Sequence, residues 1–194
     1  MAIFPIALLL LASCGEEGSD DGPGMLSLSD DRDEAVRLVD EANSDLKRIR
    51  VLYRENNSKV DELKKALAAR EVEKVKKMSD DLHLVILDGY VLAESAQEKI
   101  AKARRLSINS DFKYYLQLKE ESLSKQIKAF KFRRDSAKLF RDKFGSIDKN
   151  SMEDAARAFK ENEANFEKHM ADARKVSDKA DQVYKEANNR KAGR

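Results

Sequence analysis

Apolar residues recur along most of the chain in alternating steps of three and four residues, which is the spacing typical of amphipathic α-helices. The pattern changes phase near residues 69–71 and is interrupted near 107–111 and 145–150. Asp31 and Glu34 are spaced as a capping box at the start of the first segment. We predict four helices, at about 31–69, 71–106, 111–144 and 151–190.

The similar length of these segments predicts an all-α fold, an elongated antiparallel four-helix bundle over residues 30–190. The phase change near residue 70 has a second interpretation, because a stutter inside one long helix shifts the phase in the same way. That alternative is a three-helix, coiled-coil-like bundle whose first helix spans 31–106. The chain has only 7 Gly and 2 Pro, and none lies near residue 70 to decide between the two. Residues 191–194 are expected to fray.

The first residues have a different pattern. Residues 2–13 form an apolar run that is too short to cross a bilayer as a helix, and small residues precede Cys14. The segment Leu11-Ala12-Ser13-Cys14, followed by Gly15, resembles the lipobox of bacterial lipoproteins. The resemblance covers only about the first 15 residues. It implies that residues 1–13 are a signal peptide, removed once the Cys14 sulfur carries a lipid, and that Cys14 then becomes the acylated N-terminus, with palmitate-type chains.

The same resemblance implies a place in the cell envelope. Glu16, rather than the aspartate that favours retention in the inner membrane, follows Gly15. We therefore expect the periplasmic side of the outer membrane in a Gram-negative host, and otherwise the outer face of the cell membrane. Residues 14–29 are rich in Gly, Ser and acidic residues, a composition that predicts a flexible tether between the lipid and the bundle.

Charge is distributed unevenly along the chain. Residues 1–34 carry eight acidic residues against Arg32, a net charge of −7, so residues 35–194 carry +9 of the total of +2. A basic body favours anionic partners, and we expect an envelope protein or an anionic polymer. Export argues against nucleic acid, and the heptad-like pattern is compatible with a homo-oligomer.

Polar residues interrupt the apolar positions in three of the predicted helices: Asn56, Arg133 and Glu163. Antiparallel packing places them at similar levels of the bundle, together with His83. Because an isolated buried charge is costly, Arg133 requires a partner, and we predict an ion pair with Glu163. This polar layer is interpreted as a device that fixes helix register. The alternative is a small-anion site at Arg133 with Asn56 and His83 as donors.

Residues 82–93 are apolar on nearly every side of a helix. We expect other helices to cover them all round; the alternative is that they are exposed to a membrane or a partner. The sequence contains no HExxH, CxxC, phosphate-binding loop or nucleophile elbow. We predict a protein that is not an enzyme and has no cofactor and no metal site. The preferred function is a non-catalytic interaction or structural module held at a membrane. The alternatives are an accessory binder of a small anion or lipid and a membrane-active helical effector.

Overall fold

The computed structural model describes residues 31–145 and 149–192, and these form an all-α antiparallel four-helix bundle. The helices are α1 (Arg32–Ala69), α2 (Val72–Arg105), α3 (Ser110–Lys143) and α4 (Lys149–Ala192). Each predicted boundary is within two residues of the observed one. The predicted signal peptide and tether, with Cys14, lie outside the described residues, as do residues 193–194 of the predicted tail.

A tight turn separates α1 from α2. Arg70 has a left-handed backbone conformation, with φ of 55°. The Glu71 N–H donates to the Ala66 carbonyl at 3.0 Å, and the Arg70 N–H donates to the Leu67 carbonyl at 3.3 Å. These two bonds form a Schellman motif, which satisfies the last carbonyls of α1 and reverses the chain. The alternative of one continuous helix over 31–106 is therefore wrong.

The connection between α2 and α3 is tied to the start of α1. Asn109 caps α3, because its side-chain oxygen accepts from the Phe112 N–H at 2.8 Å. The Asp31 carboxylate accepts from the Ser107 N–H at 2.7 Å and makes no capping bond to its own helix. The predicted capping box at Asp31 is therefore wrong, and this side chain instead connects the start of α1 to the α2–α3 connection at the same end of the bundle.

The end of α3 packs against the start of α2. Gly145 follows α3 in the left-handed region, with φ of 79°, where glycine is the least strained residue. A Cβ at this position would overlap the Val72 side chain. The backbone approaches α2 this closely only because residue 145 lacks a side chain.

The core consists of three buried clusters stacked along the bundle. All four helices contribute to the first and to the central cluster, whereas the third is built from α1, α2 and α3. Each helix packs extensively on the next one in the chain, and α1 and α4 are not a closely packed pair. Ala156 has the apolar spacing of α4 but is exposed. α4 contributes no residue to the third cluster and is not closely packed against α1, so no helix covers this position.

Candidate functional site

The predicted ion pair is present in the central part of the bundle. Arg133 and Glu163 lie 3.2 Å apart, between a guanidinium nitrogen and Oε2, and their side chains are only 15% and 19% exposed. The guanidinium carbon lies 4.0 Å from the centroid of the Phe166 ring, so a cation–π contact supports the same charge. Glu163 occupies the position beside Arg133 that an anionic ligand would take.

Burial dominates the electrostatics of this pair. Removal of the Glu163 carboxyl from water raises its pKa above the usual value, and the opposing attraction of Arg133 does not cancel that effect. Its Oε1 atom has no hydrogen-bond partner. When desolvation exceeds the attraction within a buried pair, the pair adds little net stability and acts mainly by excluding mispaired arrangements. This geometry fits a role in helix register.

The other two residues of the predicted layer do not complete it. The Asn56 amide donates to the Leu52 carbonyl of its own helix at 2.8 Å. Arg104, in the last turn of α2, pairs with Glu120, about three turns into α3. Nearer to His83, Arg141 pairs with Asp80 and Lys131 lies over Tyr90, and both contacts place His83 opposite Lys138 rather than opposite Arg133. The Nδ1 atom of His83 has no hydrogen-bond partner.

Replacement of Glu163 by Gln gives a pH-dependent prediction. Because the pKa of Glu163 is raised by folding, its contribution to stability is fully present below the usual glutamate pKa and is lost as pH rises through the raised value. We expect Glu163→Gln to match the wild type near pH 4 and to become the more stable protein above the raised pKa, by about 1.4 kcal/mol per unit of pKa shift. Urea denaturation from pH 4 to 8 measures the difference.

The matched control for this measurement is Glu161→Gln, which changes an exposed glutamate on the same helix. Its stability difference from the wild type should stay nearly constant across the same range. A Glu163→Gln protein that loses stability relative to the wild type as pH rises would show that the attraction of Arg133 dominates instead.

The sequence prediction missed a second buried charge, Asp45. This residue is 6% exposed, and its Oδ2 atom accepts from Lys99 Nζ at 2.6 Å and from Ser95 Oγ at 2.8 Å. Asp45 follows Ala42 by three residues and precedes Ile49 by four, so it lies on the buried face of α1. From this spacing the burial of Asp45 could have been predicted. This contact joins α1 to α2 and is separate from the Arg133–Glu163 pair.

The most unusual surface feature is an apolar row on α2. Leu84, Leu87 and Val91 are 54%, 38% and 57% exposed, and their spacing places them on one side of the helix. The expectation that residues 82–93 are covered on every side is therefore wrong for this side. The neighbours of α2 in the bundle are α1 and α3, and the side that faces neither remains in water. We refer to these three residues as the α2 row.

Charged residues extend the α2 row in both directions. Glu73 and Lys77 precede it, and Glu98 and Lys102 follow it, all exposed and on the same side of the helix. The Lys102 ammonium lies 2.8 Å from Glu98, and this bond holds the pKa of Glu98 below its usual value. The row is therefore an apolar centre between two charged ends.

The basic residues of α3 are partly matched within the protein itself. Arg141 bonds to Asp142 at 2.7 Å and to Asp80 of α2 at 3.2 Å. Lys131 lies over the Tyr90 ring, 5.9 Å from its centroid. These contacts reduce the charge available to an anionic polymer, although Lys128 and Lys138 are exposed.

Other kinds of site are not evident in the part of the chain that the structure describes. Within residues 31–145 and 149–192, no cluster of His, Cys, Asp and Glu side chains could hold a metal ion. No helix there combines the length and apolar character needed to cross a membrane. An open depression runs along the exposed side of α1 and is lined by residues of that helix alone, from Arg32 to Ser44.

Comparisons with known proteins give no family to draw on. No protein-family model, curated protein or solved structure matches this chain. The function must therefore be argued from the chemistry of its own residues.

Proposed function

We propose that this chain is a lipid-anchored protein of the bacterial cell envelope and acts there as a non-catalytic interaction module. The observation that carries the proposal is the α2 row, an exposed apolar strip on a bundle whose remaining core positions are largely covered. Apolar side chains grouped on one face and bordered by charge are characteristic of surfaces that bind another protein.

The anchor in this proposal is Cys14. The Leu11-Ala12-Ser13-Cys14 sequence supports attachment of lipid to this sulfur, and two or more acyl chains hold a protein stably where one does not. The 17 residues that follow Cys14, as far as Asp31, reach roughly 55 Å when extended. A tether of this length lets the bundle engage a partner anchored nearby in the same membrane without moving its own lipid.

The energetic basis of the interaction is removal of the α2 row from water. Each exposed apolar side chain gains about 25 cal/mol for every Å² that a partner covers. A partner that covers all three side chains gains this free energy without disturbing the bundle, because none of the three contributes to the three core clusters.

Photocrosslinking in intact cells tests this function. A photoreactive amino acid in place of Leu84 should give a discrete covalent adduct with another envelope component. Val91→Glu in the same protein should strongly reduce the adduct, because it places a charge on the same row. The matched control is the photoreactive group at Ala171, an exposed alanine on α4, which should give no such adduct.

Two outcomes of this experiment would contradict the proposal. Equal labelling from both positions, or adducts formed only with cytoplasmic components, would contradict an interaction module in the envelope. Mass spectrometry of the adducts identifies what each position contacts.

A further inference from the structure

We infer that the α2 row is a self-association surface, on which a second copy of this chain docks with its α2 antiparallel to the first. This inference rests on the proposed function, since it names the partner of the same surface. Three features of the described residues carry it: the symmetry of the row, the charges at its two ends and the length of the exposed face.

The row is symmetric about a point between Leu87 and Asp88. In an antiparallel pair centred there, Leu84 of each copy lies beside Val91 of the other, and Leu87 lies beside Leu87 of the other. Leu84 and Val91 are also the two most exposed members of the row. The two equivalent contacts follow from a single two-fold axis, which is the commonest symmetry of protein dimers.

The charges at the two ends are complementary only in this orientation. The antiparallel register places Lys77 opposite Glu98 of the other copy, and it places Glu73 opposite Lys102. Each pair occurs twice, so the dimer contains four attractive contacts. A parallel arrangement in register would instead place Lys77 opposite Lys77 and Glu98 opposite Glu98, which is repulsive.

One pair in this register is unfavourable. Asp88, which is exposed at the edge of the face, lies beside Asp88 of the other copy, next to the two-fold axis. Like charges at the rim of an interface lower the affinity but do not prevent association. This pair supplies a variant that should strengthen the dimer, which a purely structural role for the α2 row would not predict.

The size of the face indicates a weak dimer. It extends from Glu73 to Lys102, about 44 Å at the rise of an α-helix, and a strip one helix wide falls below the area of a typical stable interface. For the chain in free solution we expect a dissociation constant on the order of 10–100 µM. Anchoring of both copies in one membrane raises their effective concentration and compensates for this weakness.

Sedimentation equilibrium on the unlipidated chain from Gly15 to Arg194 tests the association. Between about 5 and 500 µM it should show a reversible monomer–dimer equilibrium in the affinity range given above. Leu84→Glu should leave only monomer, whereas Ala171→Glu, the same kind of change at an exposed position on α4, should leave the equilibrium unchanged. Circular dichroism checks that both variants fold. A wild-type chain that stays monomeric at 500 µM overturns the inference.

Charge variants test the register. Lys77→Glu should weaken the dimer about tenfold, and the double variant Lys77→Glu/Glu98→Lys should restore it, because the exchanged charges face each other again. Asp88→Asn should strengthen it by a similar factor, because it removes the like-charge pair beside the two-fold axis. A double variant that stays as weak as Lys77→Glu alone overturns the proposed pairing.

Cysteine substitutions test the orientation, since a chain that begins at Gly15 contains no other cysteine. When chains carrying Leu84→Cys and Val91→Cys are mixed and oxidised, the antiparallel dimer should give mainly the mixed disulfide. Disulfides formed mainly between identical chains would show a parallel dimer and overturn the inference. A photocrosslink from position 84 to a different envelope protein, with no adduct to a second copy, would also overturn it, yet would leave the proposed interaction module in place.

Discussion

Replacement of Cys14 by Ser is expected to abolish incorporation of labelled palmitate into the protein. Cys14 is the only cysteine of the chain, and a serine hydroxyl does not provide the thiol that the lipobox resemblance requires. Because the proposed anchor depends on one sulfur, the effect should be complete rather than partial. Metabolic labelling followed by purification of the protein measures it.

A second variant distinguishes the effect of the lipid from the effect of the signal peptide. Delivery of residues 15–194 behind the signal peptide of an ordinary secreted protein should move the bundle from the membrane fraction to the soluble fraction of the envelope. Under the proposed lipidation this change removes at least two acyl chains, each with many methylenes worth about 0.8 kcal/mol apiece, and leaves no comparable attachment. Palmitate that still labels the Cys14→Ser protein would contradict lipidation at this residue.

Replacement of Asp45 by Ala is expected to have the largest effect on stability among the charged positions. The change removes the acceptor of two hydrogen bonds and leaves Lys99, only 25% exposed, without this carboxylate. Deletion of one partner of a buried charge pair is more costly than loss of the pair itself. We expect a loss of about 2–4 kcal/mol, or about 5–15 °C in melting temperature for a bundle of this size.

The control for Asp45→Ala is Asp40→Ala, which removes an exposed carboxylate from the same helix. Its unfolding free energy should lie within about 0.5 kcal/mol of the wild-type value. Equal effects at positions 40 and 45 would show that the Asp45–Lys99 contact does not hold α1 to α2. Urea denaturation monitored by circular dichroism distinguishes the two results.

The helix boundaries were accessible from the sequence because the periodicity of apolar residues acts locally. The interruption near residues 145–150 coincides with the end of α3, where Gly145 takes a left-handed conformation. The turn at Arg70 could not be decided in the same way. There a residue with a Cβ takes the left-handed conformation, held by the two Schellman bonds, and its local sequence does not differ from that of a continuing helix.

The polar layer shows the limit of register prediction. The Arg133–Glu163 pair was predictable because α3 and α4 keep the register that a simple hairpin gives. His83 was misplaced because α3 extends beyond the end of α2 before the two helices pair, as the Arg104–Glu120 contact shows. An axial offset of this kind depends on how the connecting residues pack. That packing cannot be predicted from the sequence of either helix alone.

The α2 row could not be inferred from hydrophobicity alone. Residues 82–93 are apolar on most sides, so the sequence does not show which side lacks a neighbour. That information comes from the pairing of α2 with α1 and α3. The sequence does contain the charges that border the row. A role for them in an interaction surface can be inferred only once Leu84, Leu87 and Val91 are known to be exposed.

The mass of the N-terminal peptide of the native protein, purified from its own cell envelope, tests the proposed lipid anchor most directly. We expect a peptide that begins at Cys14, lacks residues 1–13 and carries the additional mass of a diacylglyceryl group on the sulfur. A native protein that retains Met1 and has a free thiol at Cys14 would contradict the anchor and the envelope location together.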